Sequence, residues 1–225
     1  GIVVADVSND GIEDIIVSEQ GKFHVFYGEE IVNGKRTFNS KTFSVSNPNS
    51  NLIELRHVVS GDFNEDGISD LAFVDKGEIE DGEKGLYIFL SNGGEKLVQW
   101  NFYSIPNDDS GGIGVVFNRP LKEGHLNKDN HLDLVVLAND GKELYIFKGA
   151  GNGNFDMETI DLTVLAPFRL SEGTIDIGDI DNDGDNDIVL LNKFSPSAIY
   201  RVIILDNNGK GQFSIINYFT VIKNW

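Results

Sequence analysis

An acidic segment of eleven residues recurs four times along the chain, and this recurrence restricts the available folds more than any other feature. The copies read "ADVSNDGIEDI", "GDFNEDGISDL", "GHLNKDNHLDL" and "GDIDNDGDNDI", and their first polar loop positions fall at residues 6, 62, 125 and 179. In each copy, polar side chains occupy alternate positions, a glycine or asparagine follows, and an apolar run begins right after the last aspartate. Units of this length, repeated over the whole sequence, describe a supersecondary element that cannot bury its own faces and must stack on its neighbours.

Each unit carries a second landmark, "FHVF" at 23–26, "LYIF" at 86–89, "LYIF" at 144–147 and "VIIL" at 202–205. A Gly/Asn turn follows, clearest in "KGAGNGNF" and "DNNGKGQF", and then another alternating run such as "FSIINYFTVI". Period-two runs bounded by turn residues read as strands, and no stretch sustains a helical period. The expected fold is all-β, a β-propeller of four-stranded antiparallel blades with the acidic loop joining the first strand of each blade to the second. One propeller domain or fragment covers 1–225, with blades at approximately 1–50, 51–110, 111–168 and 169–225. The chain opens on "GIVVAD" and ends in "FTVIKNW", so four complete blades are expected, either closed as a small ring or part of a larger one, for example seven-bladed.

Side chains at loop positions 1, 3 and 5 converge on one point if the backbone winds around it, and glycine at position 6 permits the sharp turn. The carbonyl at position 7 then points inward, and the carboxylate at position 9 closes the cage. Six to eight hard oxygen ligands at about 2.3–2.6 Å suit calcium. Crowded carboxylates, in a chain of formal net charge −18, are tolerable once a divalent cation neutralises them. The match to an EF-hand stops at D-x-[DN]-x-[DN]-G, because position 9 is Asp and a strand begins where the EF-hand has a helix and a later bidentate Glu.

On "GDFNEDGISDLAF", "GDIDNDGDNDIVLL", the "LYIF" strands and the "GNGNF" turn, the chain resembles the FG-GAP/VCBS repeat family over its full length. This is the family of the integrin α-subunit propeller and of many exported microbial propellers. The resemblance implies calcium in the loop between first and second strands, and a ring used for adhesion or for contact with protein or glycan. The metal positions are Asp6, Ser8, Asp10, the Ile12 carbonyl and Asp14 in the first loop. In the second they are Asp62, Asn64, Asp66, the Ile68 carbonyl and Asp70; in the fourth, Asp179, Asp181, Asp183, the Asp185 carbonyl and Asp187. The third offers Asn127, Asp129, the His131 carbonyl and Asp133, but places His125 at position 1 and Asn130 at position 6. Imidazole is a poor ligand for a hard cation, so two to four calcium ions are expected, with the third site weak or empty.

The strong negative charge argues against nucleic acid and anionic membrane surfaces as partners, and no apolar run approaches the roughly 20 residues of a membrane span. Without cysteine there is no disulfide framework and no thiolate metal site. No signal segment is visible, and the resemblance implies a place outside the cell or at its surface. His24 and His57 sit in or before strands, no HExxH or GxSxG pattern occurs, and "GAGNGNF" leads into a strand rather than a phosphate-binding helix. The chain is therefore read as a binding module and not an enzyme. The alternatives are a propeller belonging to a polysaccharide-degrading enzyme and a purely structural module of a surface assembly joined to other domains or chains. Recognition is expected on the variable loops "DKGEIEDGEKG", "PNDDSGG", "APFRLSEG" and "NKFSPSAIY", with Phe168, Arg169, Phe194 and Tyr200 as anchors for a protein or glycan ligand.

Overall fold

A computed structural model describes residues 1–47, 53–75, 84–106, 120–138, 142–163, 170–194 and 199–222. Over these residues the chain is all-β. Sixteen strands form four four-stranded antiparallel sheets, each with its strands in chain order, and no α-helix occurs among the described residues. Each sheet is a propeller blade in its strand order, and the chain divides into two compact units.

The first unit comprises residues 1–107 with the turn 151–154. Its first blade is β1 (Ile2–Ala5), β2 (Asp14–Glu19), β3 (Lys22–Val32) and β4 (Lys35–Ser44). Its second is β5 (Leu55–Gly61), β6 (Asp70–Asp75), β7 (Lys84–Ser91) and β8 (Leu97–Ile105). Ile16, Phe23 and Val25 of the first blade share a buried core with Leu71, Phe73 and Phe89 of the second. The Phe23 ring lies 4.6 Å from that of Phe73 and meets Phe89 edge-on at 4.9 Å, the geometries aromatic quadrupoles prefer. Every residue of β6 is buried, which is why its sequence reads as a continuous apolar run rather than an alternation. The outer strand β4 is exposed along nearly its whole length and carries Lys35, Arg36 and Lys41, charges that discourage edge-to-edge pairing. Asn33 and Gly34 join β3 to β4 with φ of 54° and 73°, the left-handed pair of a tight hairpin turn.

The second unit comprises residues 108–150 and 155–225. Its blades are β9 (Leu121–Gly124), β10 (Asp133–Leu137), β11 (Glu143–Gly149) and β12 (Phe155–Asp161), then β13 (Leu170–Gly178), β14 (Asp187–Phe194), β15 (Ile199–Asn207) and β16 (Phe213–Ile222). Val135, Leu137 and Ile146 pack against Ile188, Leu190, Ile203 and Leu205. In both units the second strand of a blade starts at a position-9 aspartate, so the acidic loop is the connection between first and second strands, as its sequence implied.

Two outer strands carry a β-bulge at the same place in the repeat. In β8, Gln99 and Asn101 pair with the consecutive residues Phe89 and Ile88, leaving Trp100 as the extra residue. In β16, Ile215 and Asn217 pair with Leu205 and Ile204, leaving Ile216.

Candidate metal centres in the acidic loops

The four position-9 aspartates Asp14, Asp70, Asp133 and Asp187 are all buried, and a buried carboxylate needs hydrogen bonds. They receive them by one plan. One carboxylate oxygen accepts the N–H of loop position 2, from Val7, Phe63, Leu126 and Ile180 at 2.8–3.1 Å. The other accepts an N–H of the blade's third strand, from Gly28, Ser91, Gly149 and Asn207 at 2.8–2.9 Å. Each of these side chains therefore ties its loop to the third strand whether or not it also touches an ion. Sequence reasoning assigned them a ligand role alone; their place directly before an apolar strand was the signal for a second role.

The exposed loop positions are shaped by bonds to their own backbone. Asp6, Asp62 and Asp179 accept the N–H of the position-6 glycines Gly11, Gly67 and Gly184 at 2.8–3.1 Å. These glycines have φ of 83–90°, a conformation that disfavours other residues. Position 5 accepts the N–H of position 7 in every copy, from Ile12, Ile68, His131 and Asp185. Position 4 is also left-handed in three loops, at Asn9, Glu65 and Asn182, a feature the sequence did not announce because Glu rarely adopts it.

The loops differ in what they bring together. In the fourth, Asp179, Asp181 and Asp187 each place a carboxylate oxygen within 4.8 Å of the others'. Oxygens on opposite sides of a calcium ion are themselves about 4.8 Å apart, so this donor set fits one hard cation. In the second, the Asn64 amide donates to Asp66 at 3.0 Å, and Asp66 N–H bonds Asp62 and Asn64. In the first, Ser8 Oγ donates to Asp6 at 3.3 Å, so the hydroxyl lies beside the position-1 carboxylate.

The third loop is closed by its own histidine. The His125 Nδ1–H donates to the His131 carbonyl at 2.9 Å, the position-7 oxygen expected from the sequence as a cation ligand. Lys128 pairs with Asp185 of the fourth loop at 2.9 Å, and the Asn186 amide donates to the His125 carbonyl at 3.0 Å. The Asn207 amide donates to the Leu126 and Asn186 carbonyls at 2.7 and 2.8 Å, so the third and fourth loops are bolted together by protein groups. Ser91 makes the equivalent link in the first unit, its Oγ–H donating to the Val7 carbonyl at 2.6 Å.

Burial pushes the Asp70 carboxyl up to about 7, against the Ser91 and Phe63 N–H bonds that pull it down and with Asp66 and Asp62 pushing further up. Burial likewise raises Asp14 and Asp133. Phe168 and Arg169 lie outside the described residues, as do most of the variable loops named with them; Phe194 ends β14 opposite Ile199, and Tyr200 lies on β15 opposite Lys193.

Residues 125–190, from the third acidic loop through the fourth and into β14, match the model of the FG-GAP-like repeat. That segment is similar to an FG-GAP-like repeat. Among solved structures, this chain is similar to a lectin from Agrocybe aegerita, described as the structural basis of specific recognition of non-reducing terminal N-acetylglucosamine. The match has a TM-score of 0.58 and 20% identity, and covers 97% of this chain and 51% of that one. At that identity the fold is what is shared, and the chain spans about half the length of this relative. No curated protein matches it. No helix among its described residues is long and apolar enough to cross a membrane.

Proposed function

We propose that this chain is a calcium-stabilised propeller module that acts outside the cell by binding glycans, without turnover. The observation that carries the calcium part is the convergence of Asp179, Asp181 and Asp187 in a loop whose hydrogen-bond plan is repeated in the first and second blades. The ion would be held by these residues with Asp183 and the Asp185 carbonyl, and by the corresponding groups of the first two loops. Bound there, it neutralises carboxylates that otherwise repel. Extracellular calcium, at about millimolar levels, suits loops that bind with dissociation constants of roughly 10⁻⁴ to 10⁻³ M. The glycan part is supported by the lectin of like fold and by a net charge of −18 that disfavours polyanionic ligands.

Calorimetric titration of calcium tests the metal reading. Two or three sites are expected, with a higher melting temperature in calcium than in chelator, and one site fewer in Asp179→Ala. A flat titration with identical melting curves would reduce the loops to turns. A glycan array probed in calcium tests the ligand class.

A further inference from the structure

Trp100 is one of two tryptophans in the chain, and it is 52% exposed. Indole joins a large apolar face to one polar N–H, so an exposed and fixed tryptophan offers a stacking surface to a ligand. The exposure has a structural cause, since Trp100 is the extra residue of the β8 bulge, and a bulge re-aims the side chain it carries. The equivalent bulge in the fourth blade carries Ile216, so the bulge recurs in one other blade while the indole is peculiar to the second.

The indole is held in place from one side. A Cβ at Gly153 would stand 3.2 Å from Trp100 Nε1 and about 3.0 Å from the Leu90 methyls, so the ring edge rests where only glycine leaves room. Side-chain amides flank that glycine. Asn154 donates through its backbone N–H and its amide to Asn152 Oδ1, both at 3.1 Å. The Asn101 amide donates to Tyr103 Oη at 2.9 Å and reaches Asn154 Oδ1 at 3.4 Å. The result is a fixed aromatic platform bordered by oriented neutral amides. A pyranose ring matches it, with an apolar C–H face to lie on indole and hydroxyl or acetamido groups to meet the amides.

We propose that Trp100, with Asn101, Asn152 and Asn154, forms a glycan subsite for a terminal pyranose sugar. This rests on the glycan-binding reading above. The test uses the whole chain in calcium, first on a glycan array and then by titration with the best-bound oligosaccharide, or with triacetylchitotriose as the starting probe. In a Trp225→Phe background Trp100 is the sole tryptophan, and its fluorescence is expected to shift as sugar is added. Trp100→Ala is expected to weaken binding by about tenfold or more, roughly the loss of one aromatic anchor. Trp100→Phe should recover part of that loss, with melting temperature and calcium heats unchanged in both variants. If the wild-type chain binds no glycan, the glycan-binding reading fails and this subsite with it. If the chain binds glycan and Trp100→Ala binds equally well, or the fluorescence stays constant through saturation, the subsite alone is overturned.

Discussion

Asp70 shows why a residue chosen for its charge can be needed more for its shape. Both of its oxygens accept backbone N–H groups that no water reaches, from Phe63 and Ser91. Asp70→Ala leaves two buried donors without partners and is expected to cost about 2–5 kcal/mol, measured by urea unfolding in chelator. Asp66→Ala removes only exposed hydrogen bonds, to Ile68 N–H and the Asn64 amide, so it should cost much less than Asp70→Ala in chelator and more when calcium is present. Equal losses for the two variants in chelator would refute the distinction. The same carboxyl sets a pH dependence. Its folded pKa of about 7 lies above its ordinary 3.8, so the folded chain binds this proton more tightly than the unfolded one. In chelator, stability should therefore fall as pH rises from about 4 to about 7, and Asp14 and Asp133, also raised by burial, act in the same direction. Calcium favours the ionised form, so its stabilising effect should grow over that interval. Melting curves across the pH range, with and without calcium, check both signs.

Among the loops, one sequence pattern yields two kinds of closure. In the fourth loop carboxylates converge; in the third an imidazole takes the position-7 carbonyl and protein groups bind the loop to its neighbour. His125→Asp removes that hydrogen bond and restores a hard oxygen at position 1. Calorimetry should then report one more calcium site than the unaltered chain, and unchanged stoichiometry would show that histidine is not what closes the loop. The strands themselves were readable from alternation and turn residues. "FSIINYFTVI" coincides with β16, and the "LYIF" landmarks lie within β7 and β11. The "NG" hairpin that extends β3 to Val32 was also legible as a left-handed turn signal, although the "FHVF" landmark marked only the inner part of that strand. The bulges at Trp100 and Ile216 were not legible, because a bulge is a mismatch of register between two strands and neither strand alone records it.

For the molecule as a whole, the charge of −18 opposes compaction through self-repulsion. In chelator, raising salt through the physiological range should raise the melting temperature, because a shorter Debye length screens the repulsion among exposed carboxylates. With calcium bound, the salt effect should be smaller, and a salt response identical in both conditions would argue against metal neutralisation. What the sequence determined by itself was the fourfold recurrence of one segment and, within each copy, local features: the strand alternation, the position-6 turn and the clustering of hard oxygen donors all follow from spacing within a dozen residues. What only the tertiary structure decided depends on partners brought together by folding. Asp187 meets the N–H of Asn207, the Asn207 amide reaches back to Leu126, and the indole of Trp100 settles against Gly153. Residues tens of positions apart become neighbours only through strand pairing and blade packing, and no local pattern encodes which backbone group will stand opposite a given side chain.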